Sequence, residues 1–358
     1  MEQRKEVVLR FVSSGLSVIR ATIIAGIKKS TYYYRPSSRR KGKLASKHTL
    51  RFDGTKVDND KVVSNIFEIL EPEFHNYGYQ TVTQKLRHMG YIINPKKVYR
   101  LMKENQLLHP KIKPDGRNDK TYVKHSVPLL EAPFATVEVD IKYIYIAGLN
   151  KNAYLITFVC TFCRFAPVWD LDLSMRSDRI VELLRELNHH PVVRRYTRDK
   201  QPNIVIRTDN GPQFIAKKLK HVLETLELNH EYIKPATPQD NGHIEGFHSI
   251  VTSLVTKRFI FEDLQHARQT FERFFFAYNN TRIKKDLLYY APKEFLELWE
   301  KGYVEIKKNK KNKEQFYFKE KPNAEALWGL SSILMNSSNE VKHSKSLILN
   351  HQEISPVL

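Results

Sequence analysis

Asp209 and Glu245 each sit in a short motif that joins an acid to turn-forming and polar residues. The first is Arg207-Thr208-Asp209-Asn210-Gly211-Pro212-Gln213-Phe214, the second Pro238-Gln239-Asp240-Asn241-Gly242-His243-Ile244-Glu245-Gly246-Phe247. A third acid, Asp140, lies upstream in the apolar run Val139-Asp140-Ile141. Hard carboxylate oxygens are the ligands that Mg²⁺ or Mn²⁺ prefers, and two such ions about 3.5 to 4 Å apart can drive in-line displacement at a phosphodiester. The expected chemistry is therefore metal-dependent cutting and joining of nucleic-acid strands, with Asp140, Asp209 and Glu245 as ligands and no covalent protein nucleophile. Spacing is not the warrant, because Asp and Glu make up 39 of 358 residues and an acid at any chosen distance is common. The motif context is. Glu138, Asp170 and Asp172 compete for the role, and Glu138, which shares a strand face with Asp140, is the most credible substitute.

The elements that must hold these acids follow from the hydrophobic pattern. Three β-rich runs with short turns, 136–146, 153–161 and 165–171, read as an antiparallel meander. A helix at 178–187, a strand at 203–208, a helix at 216–226, a strand at 230–233 and a long helix at 244–259 follow. Three strands followed by alternating helix and strand imply a mixed sheet with helices on both faces, an α/β fold. Asp140 then lies inside the first strand, Asp209 at a strand end where the chain turns away, and Glu245 in a helix's first turn. Gln213 and Asn241 are candidates to position a phosphate, and Lys234 and Arg207 to neutralise it; each serves equally well as a turn or surface residue.

Charge points to the same class of partner. The chain carries 59 Lys and Arg against 39 Asp and Glu, a net +20, and residues 1–125 hold 26 basic against 11 acidic, so +15 of the excess lies in the front third. Such asymmetry marks a surface for double-stranded DNA. Residues 1–34 read as a small helix-turn-helix, with breaks at Gly15 and Gly26 and Ser17 as a helix start, and residues 35–59 as a flexible basic linker. Residues 60–110 hold three helices, the third opened by Asn94-Pro95. In it, Val98, Leu101 and Met102 face a core, leaving Lys96, Lys97, Arg100 and Lys103 for a groove or its phosphates. The catalytic core is expected over 125–260, C-terminal helices over 261–300 and a basic tail over 301–358.

Other features carry less. Cys160 and Cys163 form a lone C-x-x-C inside a predicted strand, where positions three apart face opposite ways, so zinc is not expected. His248, three residues after Glu245 on the same helix face, is a general acid or metal ligand or, more commonly for such a residue, a solvated surface histidine. No run of about 18 apolar residues and no apolar stretch behind Met1-Glu2-Gln3-Arg4-Lys5 appears, so a soluble, cytoplasmic, nucleoid-associated protein is expected.

The chain resembles the integrase-core transposases of bacterial insertion sequences, specifically the catalytic OrfB product of the insertion-sequence-three family. Val139-Asp140-Ile141-Lys142-Tyr143-Ile144, Thr208-Asp209-Asn210-Gly211 and Asn241-Gly242-His243-Ile244-Glu245 carry that resemblance for the catalytic motifs. Asn76-Tyr77-Gly78-Tyr79, Lys85-Leu86 and Val98-Tyr99-Arg100-Leu101-Met102 carry it for the preceding helix-turn-helix, and Tyr278-Asn279-Asn280-Thr281-Arg282 with Ala291-Pro292 for the end of the core. Lys142 stands where Thr is usual and Lys284 where His is common, which puts contacts to the substrate end in question. The resemblance implies a ribonuclease-H-like core with a five-stranded mixed sheet, cleavage and strand transfer at the ends of a mobile element, two Mg²⁺ or Mn²⁺ ions, a multimer on paired DNA ends, and an upstream OrfA-type partner or fusion. A catalytically inactive DNA binder and a ribonuclease-H-like nuclease without strand transfer remain the alternatives.

Overall fold

A computed structural model describes residues 2–35, 45–109, 132–197, 204–233, 242–310 and 313–320. The chain divides into two compact units, 1–47 and 48–358.

In the first unit, α1 (Glu2–Ser13), α2 (Val18–Ile24) and α3 (Lys29–Tyr33) follow the predicted breaks. Gly15 and Gly26 adopt φ of +90° and +64°, which side chains with a Cβ resist. Ser17 caps α2 by accepting the Arg20 N–H.

The second unit begins with β1 (His48–Arg51) and β2 (Lys56–Asp58), a hairpin where a linker was expected. Thr49 is buried and Val57 packs on the neighbouring apolar cluster, so a few inward positions order a segment whose composition reads as solvated. Next come α4 (Asn59–Leu70), α5 (Tyr79–His88), β3 (Tyr91–Ile92), which pairs with β1, and α6 (Pro95–Glu104). Asn94 caps α6 through the Lys96 N–H at 2.9 Å, and Pro95 takes the first helical position, where a missing N–H costs nothing.

The core sheet is built from β4 (Thr136–Ile146), β5 (Lys151–Cys160), β6 (Trp169–Asp172), then α7 (Ser177–His189), α8 (Pro191–Thr197), β7 (Val205–Thr208), α9 (Lys217–Thr225) and β8 (Asn229–Tyr232). Its order is β6-β5-β4-β7-β8. The first three strands pair antiparallel, while β7 joins β4 in parallel and β8 joins β7 in parallel. This is the five-stranded mixed sheet expected of the ribonuclease-H-like fold. The predicted strand at 165–171 shortens to β6, and α8 was not foreseen.

Side-chain alternation along β4 divides the core into two layers. Val137 and Val139 point into an apolar cluster shared with α7 and α9, whereas Ile144 and Ile146 point into a second cluster. That second layer holds α10 (Gly242–Val251) and α11 (Leu264–Asn280), through Ile244, Phe247, Phe271 and Phe274. Glu138 and Asp140 share the even-numbered face and are therefore aimed at α10. The predicted long helix breaks at Thr252 into a π-helical turn, Thr252–Thr256, where the hydroxyls of Thr252 and Thr256 bond the carbonyls four residues back.

The chain ends its described part with α12 (Pro292–Glu300), β9 (Val304–Lys308) and β10 (Glu314–Phe318). The two strands pair, and Phe316 packs among Phe162, Phe295 and Trp299. The start of the expected tail is thus part of the core. Residues 321–358 lie outside the described ones.

Candidate active site

Asp140 lies on β4, and its Oδ1 accepts the Ile141 N–H at 2.7 Å. Its carboxyl is pushed up to about 6, chiefly by burial, with the charges of Asp209 and Glu245 adding to the rise against the Ile141 hydrogen bond. The three predicted acids are therefore close enough to feel one another. Asp209, exposed at the end of β7, folds its turn by accepting the Gly211 N–H at 3.0 Å. A Cβ at Gly211 would come within 2.7 Å of Gln213 Nε2 and 3.0 Å of Asp209 Oδ1, so a side chain there would displace the Gln213 amide. The Gln213 amide consequently lies in the same turn as Asp209. Glu245 is exposed in the first turn of α10, and its carboxyl is raised by partial desolvation.

His248 belongs to this site rather than to a solvated surface. Its side chain is only 12% exposed and its Nδ1 stands 3.4 Å from Asp140 Oδ2. Burial, then the nearby Lys142 charge, pushes its pKa down to about 4, so the ring that faces Asp140 is neutral near pH 7. Helical spacing singles it out in the sequence, since positions i and i+3 share a face, but does not show that it is buried against Asp140.

Glu138, the acid kept as a substitute, is turned inward. It is 0% exposed, and burial raises its carboxyl to about 7. Its Oε2 accepts the Ile244 N–H at 2.8 Å, and its Oε1 lies 3.6 Å from Arg207 Nη1. Arg207 in turn donates to Glu231 Oε2 at 2.9 Å. An arginine expected to neutralise phosphate is thus held between two carboxylates, at 15% exposure. Asp170 and Asp172 are drawn away by Arg179 and Arg268.

Among the predicted DNA contacts on α6, Val98, Leu101 and Met102 are buried as expected. Lys96 and Lys103 are exposed, whereas Lys97 reaches the His48 carbonyl and Arg100 lies 3.6 Å from Glu104. Lys234 and Asn241 lie outside the described residues. Lys284 is turned inward: its Nζ donates to the Tyr278 hydroxyl at 2.9 Å and sits 4.6 Å above that ring, and burial lowers its pKa to about 8.

The cysteines differ from expectation in one respect. The strand ends at Cys160, and the turn that follows brings Cys163 into hydrogen-bond contact with it rather than to the opposite face. Both thiols are fully buried, and among the described residues no group of three His, Cys, Asp or Glu is gathered tightly enough to enclose a metal ion.

The donor chemistry nevertheless fits a hard divalent cation. Three carboxylates converge from two adjacent strands and a helix, and the central one already shows the like-charge strain that a cation relieves.

Comparison with known proteins identifies the domains that carry these residues. Residues 131–238 and 226–292 match models described as "Integrase core domain", and residues 58–113 match an "HTH-like domain". The transposase for insertion sequence element IS904 of Lactococcus lactis is 21% identical over 251 residues, spanning 67% of this chain and 94% of that protein. An uncharacterized 31.7 kDa protein of insertion element IS407 from Burkholderia multivorans is 25% identical over 252 residues, spanning 70% and 86%. Among solved structures, the catalytic domain of the Mos1 mariner transposase aligns with a TM-score of 0.35 at 19% identity, covering 47% of this chain and 80% of that one. No helix among the described residues is long and apolar enough to cross a membrane. The chain thus carries an integrase core domain with an HTH-like domain ahead of it, and is similar to transposases of insertion-sequence type.

Proposed function

We propose that this chain cuts DNA at the ends of an insertion sequence and transfers the freed strand to a target, with Asp140, Asp209 and Glu245 as the catalytic acids. The observation that carries this reading is the convergence of three motif acids on one corner of the sheet, read in the charge that Asp209 and Glu245 exert on Asp140.

Mg²⁺ or Mn²⁺, two ions in this reading, would be held by those carboxylates and would supply activation of the attacking oxygen and stabilisation of the leaving one. The chain's own groups do the rest. Asp140 is fixed by the Ile141 N–H and backed by a neutral His248 ring, so its oxygens stay aimed at the shared corner. The Asp209 turn presents its carboxylate beside the Gln213 amide, a donor suited to a phosphate oxygen. In the first step water attacks the phosphorus, the P–O3′ bond breaks, and a 3′-hydroxyl is released. In the second that hydroxyl attacks a target phosphodiester, a new P–O bond forms, and the target strand's own 3′-oxygen leaves with a proton.

DNA is held by the HTH-like domain, with the exposed Lys96 and Lys103 on α6 and contributions from Lys97, Arg100, Lys234 and Asn241. Joining two element ends calls for a multimer, and an OrfA-type partner or fusion would add end recognition. In a cell such a protein would sit in the cytoplasm on the nucleoid.

The test is nicking and end joining of DNA from the borders of the encoding locus, with Mg²⁺ or Mn²⁺, for the wild type beside Asp209→Ala. Cleaved and joined products from the wild type only are expected. Binding without cleavage in both proteins would sink the reading in favour of an inactive DNA binder, and cleavage without joined products in favour of a simple nuclease.

A further inference from the structure

We propose that Glu138 is the positioning residue that holds the three acids in register, by fastening the first turn of α10 to the sheet. This rests on the catalytic reading of Asp140, Asp209 and Glu245. The three acids ride on β4, β7 and α10, and each carrier contributes a neighbouring residue to one buried polar chain.

Glu138 and Arg207 are direct partners in the parallel β4–β7 register, with Asp140 two residues further along β4 and Asp209 two residues after Arg207, just past the end of β7. Two residues is one side-chain repeat, so the Glu138–Arg207 pair forms the rung beneath the acids, on the same face. Arg207 continues the chain to its own register partner, Glu231 on β8. At the other end, Glu138 Oε2 accepts the backbone N–H of Ile244, the residue before Glu245. A carboxylate that takes an N–H in a helix's first turn satisfies an otherwise orphaned donor and meets the positive end of the helix dipole. Glu138 is wholly buried, so this bond does not compete with water. The Ile244 side chain is buried in the second apolar layer, so the Glu138 bond adds a directed polar tie to an apolar anchor, beside a Glu245 that is itself exposed.

In this role Glu138 acts through the Ile244 amide and Arg207 rather than on the reacting groups.

The experiment compares Glu138→Leu, which keeps bulk and removes the acceptor, with Glu138→Gln, which keeps an acceptor for Ile244 and removes the charge. Amide exchange at Ile244 and Mn²⁺ titration by calorimetry are read on the full chain, with exchange along β4 and β5 as the check that the sheet is intact. In Glu138→Leu, Ile244 exchange is expected to speed up by about tenfold or more, the cost of losing a hydrogen bond to a charged acceptor. Half-saturation with Mn²⁺ is expected to rise by about tenfold in the same variant, while Glu138→Gln stays within about threefold of wild type on both readings. If Glu138→Leu does not fold, Glu138→Asp replaces it, since withdrawing the carboxylate by one methylene keeps the charge and loses the reach to Ile244. Wild-type protection of Ile244 in the variant without reach, or equal damage in Glu138→Gln, would overturn the proposal. Because exchange at Ile244 is read without turnover, a wild type that fails to cleave DNA would count against the catalytic reading while leaving the Glu138 tie measured.

Discussion

Two regions of the second unit join parts of the chain far apart in sequence, and they do so by opposite means. Where the HTH-like domain meets the C-terminal helices, the joint is broad and apolar at its centre. Phe74 is buried against Phe259 and Phe274, Tyr77 accepts the Ile283 N–H through its hydroxyl, and Arg282 donates to the Phe74 carbonyl at 2.8 Å. His88 stacks on Tyr290 at 4.7 Å, and an exposed Arg273 grips Glu73 with two nitrogens. At the acid corner, by contrast, single polar contacts do the holding: Ile141 to Asp140 and Gly211 to Asp209, and beneath them the buried bond of Ile244 to Glu138. A joint made of area tolerates losing one member. A corner made of single hydrogen bonds does not, yet only such a corner leaves oxygens available to a substrate.

The sharpest break of this contrast is Asp209→Asn. It keeps an acceptor for Gly211 and should leave the thermal midpoint within a degree or two, while cleavage in Mn²⁺ falls by more than about a hundredfold, since residues one step removed from a metal already cost tenfold to a hundredfold. Phe74→Ala should do the reverse, lowering stability in urea by about 3 to 5 kcal/mol as a fully buried ring is lost. Cleavage per folded molecule should then fall far less than in Asp209→Asn. Should Phe74→Ala leave stability untouched, the joint is not held by area.

Part of the pH dependence of stability belongs to the joint. Burial lowers His75 to about 4 and His88 to about 3, below the ordinary value of 6.5. The unfolded chain thus binds these protons first, so stability is full above pH 6.5 and declines as pH falls toward 4. Between pH 7 and pH 5 the histidines of the joint pull the urea midpoint down while the raised carboxyls of Glu138 and Asp140 pull it up, so the check is a difference: His88→Phe, which keeps the stack on Tyr290, should lose less stability over this range than the wild type. A smaller effect is expected for Lys103→Ala on the exposed side of α6: weaker binding to all DNA sequences alike and a salt slope reduced by about 1. Smallest of all is Arg273→Ala. Its carboxylate pair is half exposed, and its loss should cost no more than about 1 kcal/mol.

What the sequence revealed and what it hid divide along the same line. Periodicity placed β4 and α6 nearly to the residue, because a long alternating strand and a capped amphipathic helix write their buried face into the chain. The turn after Asp209 was legible because Asn, Gly and Pro have few other uses. Periodicity says which face a side chain takes and not which partner it meets. Glu138 therefore read as a spare ligand, Arg207 as a phosphate contact and His248 as a surface residue, although all three are engaged with neighbours brought by other elements. Short strands such as β1, β2, β9 and β10 were hidden for a related reason: each needs only one or two inward residues, and charged neighbours mask so weak a pattern.

The broad joint also has a geometric consequence. With the α4–α5 segment fastened to the residues that follow α11, the α6 face proposed to meet DNA and the acid corner belong to one compact unit. On the proposed reading such a unit acts as a caliper: the bases read and the bond broken lie a set number of base pairs apart, so sliding the reading site by half a helical turn would carry the scissile phosphate to the far side of the duplex.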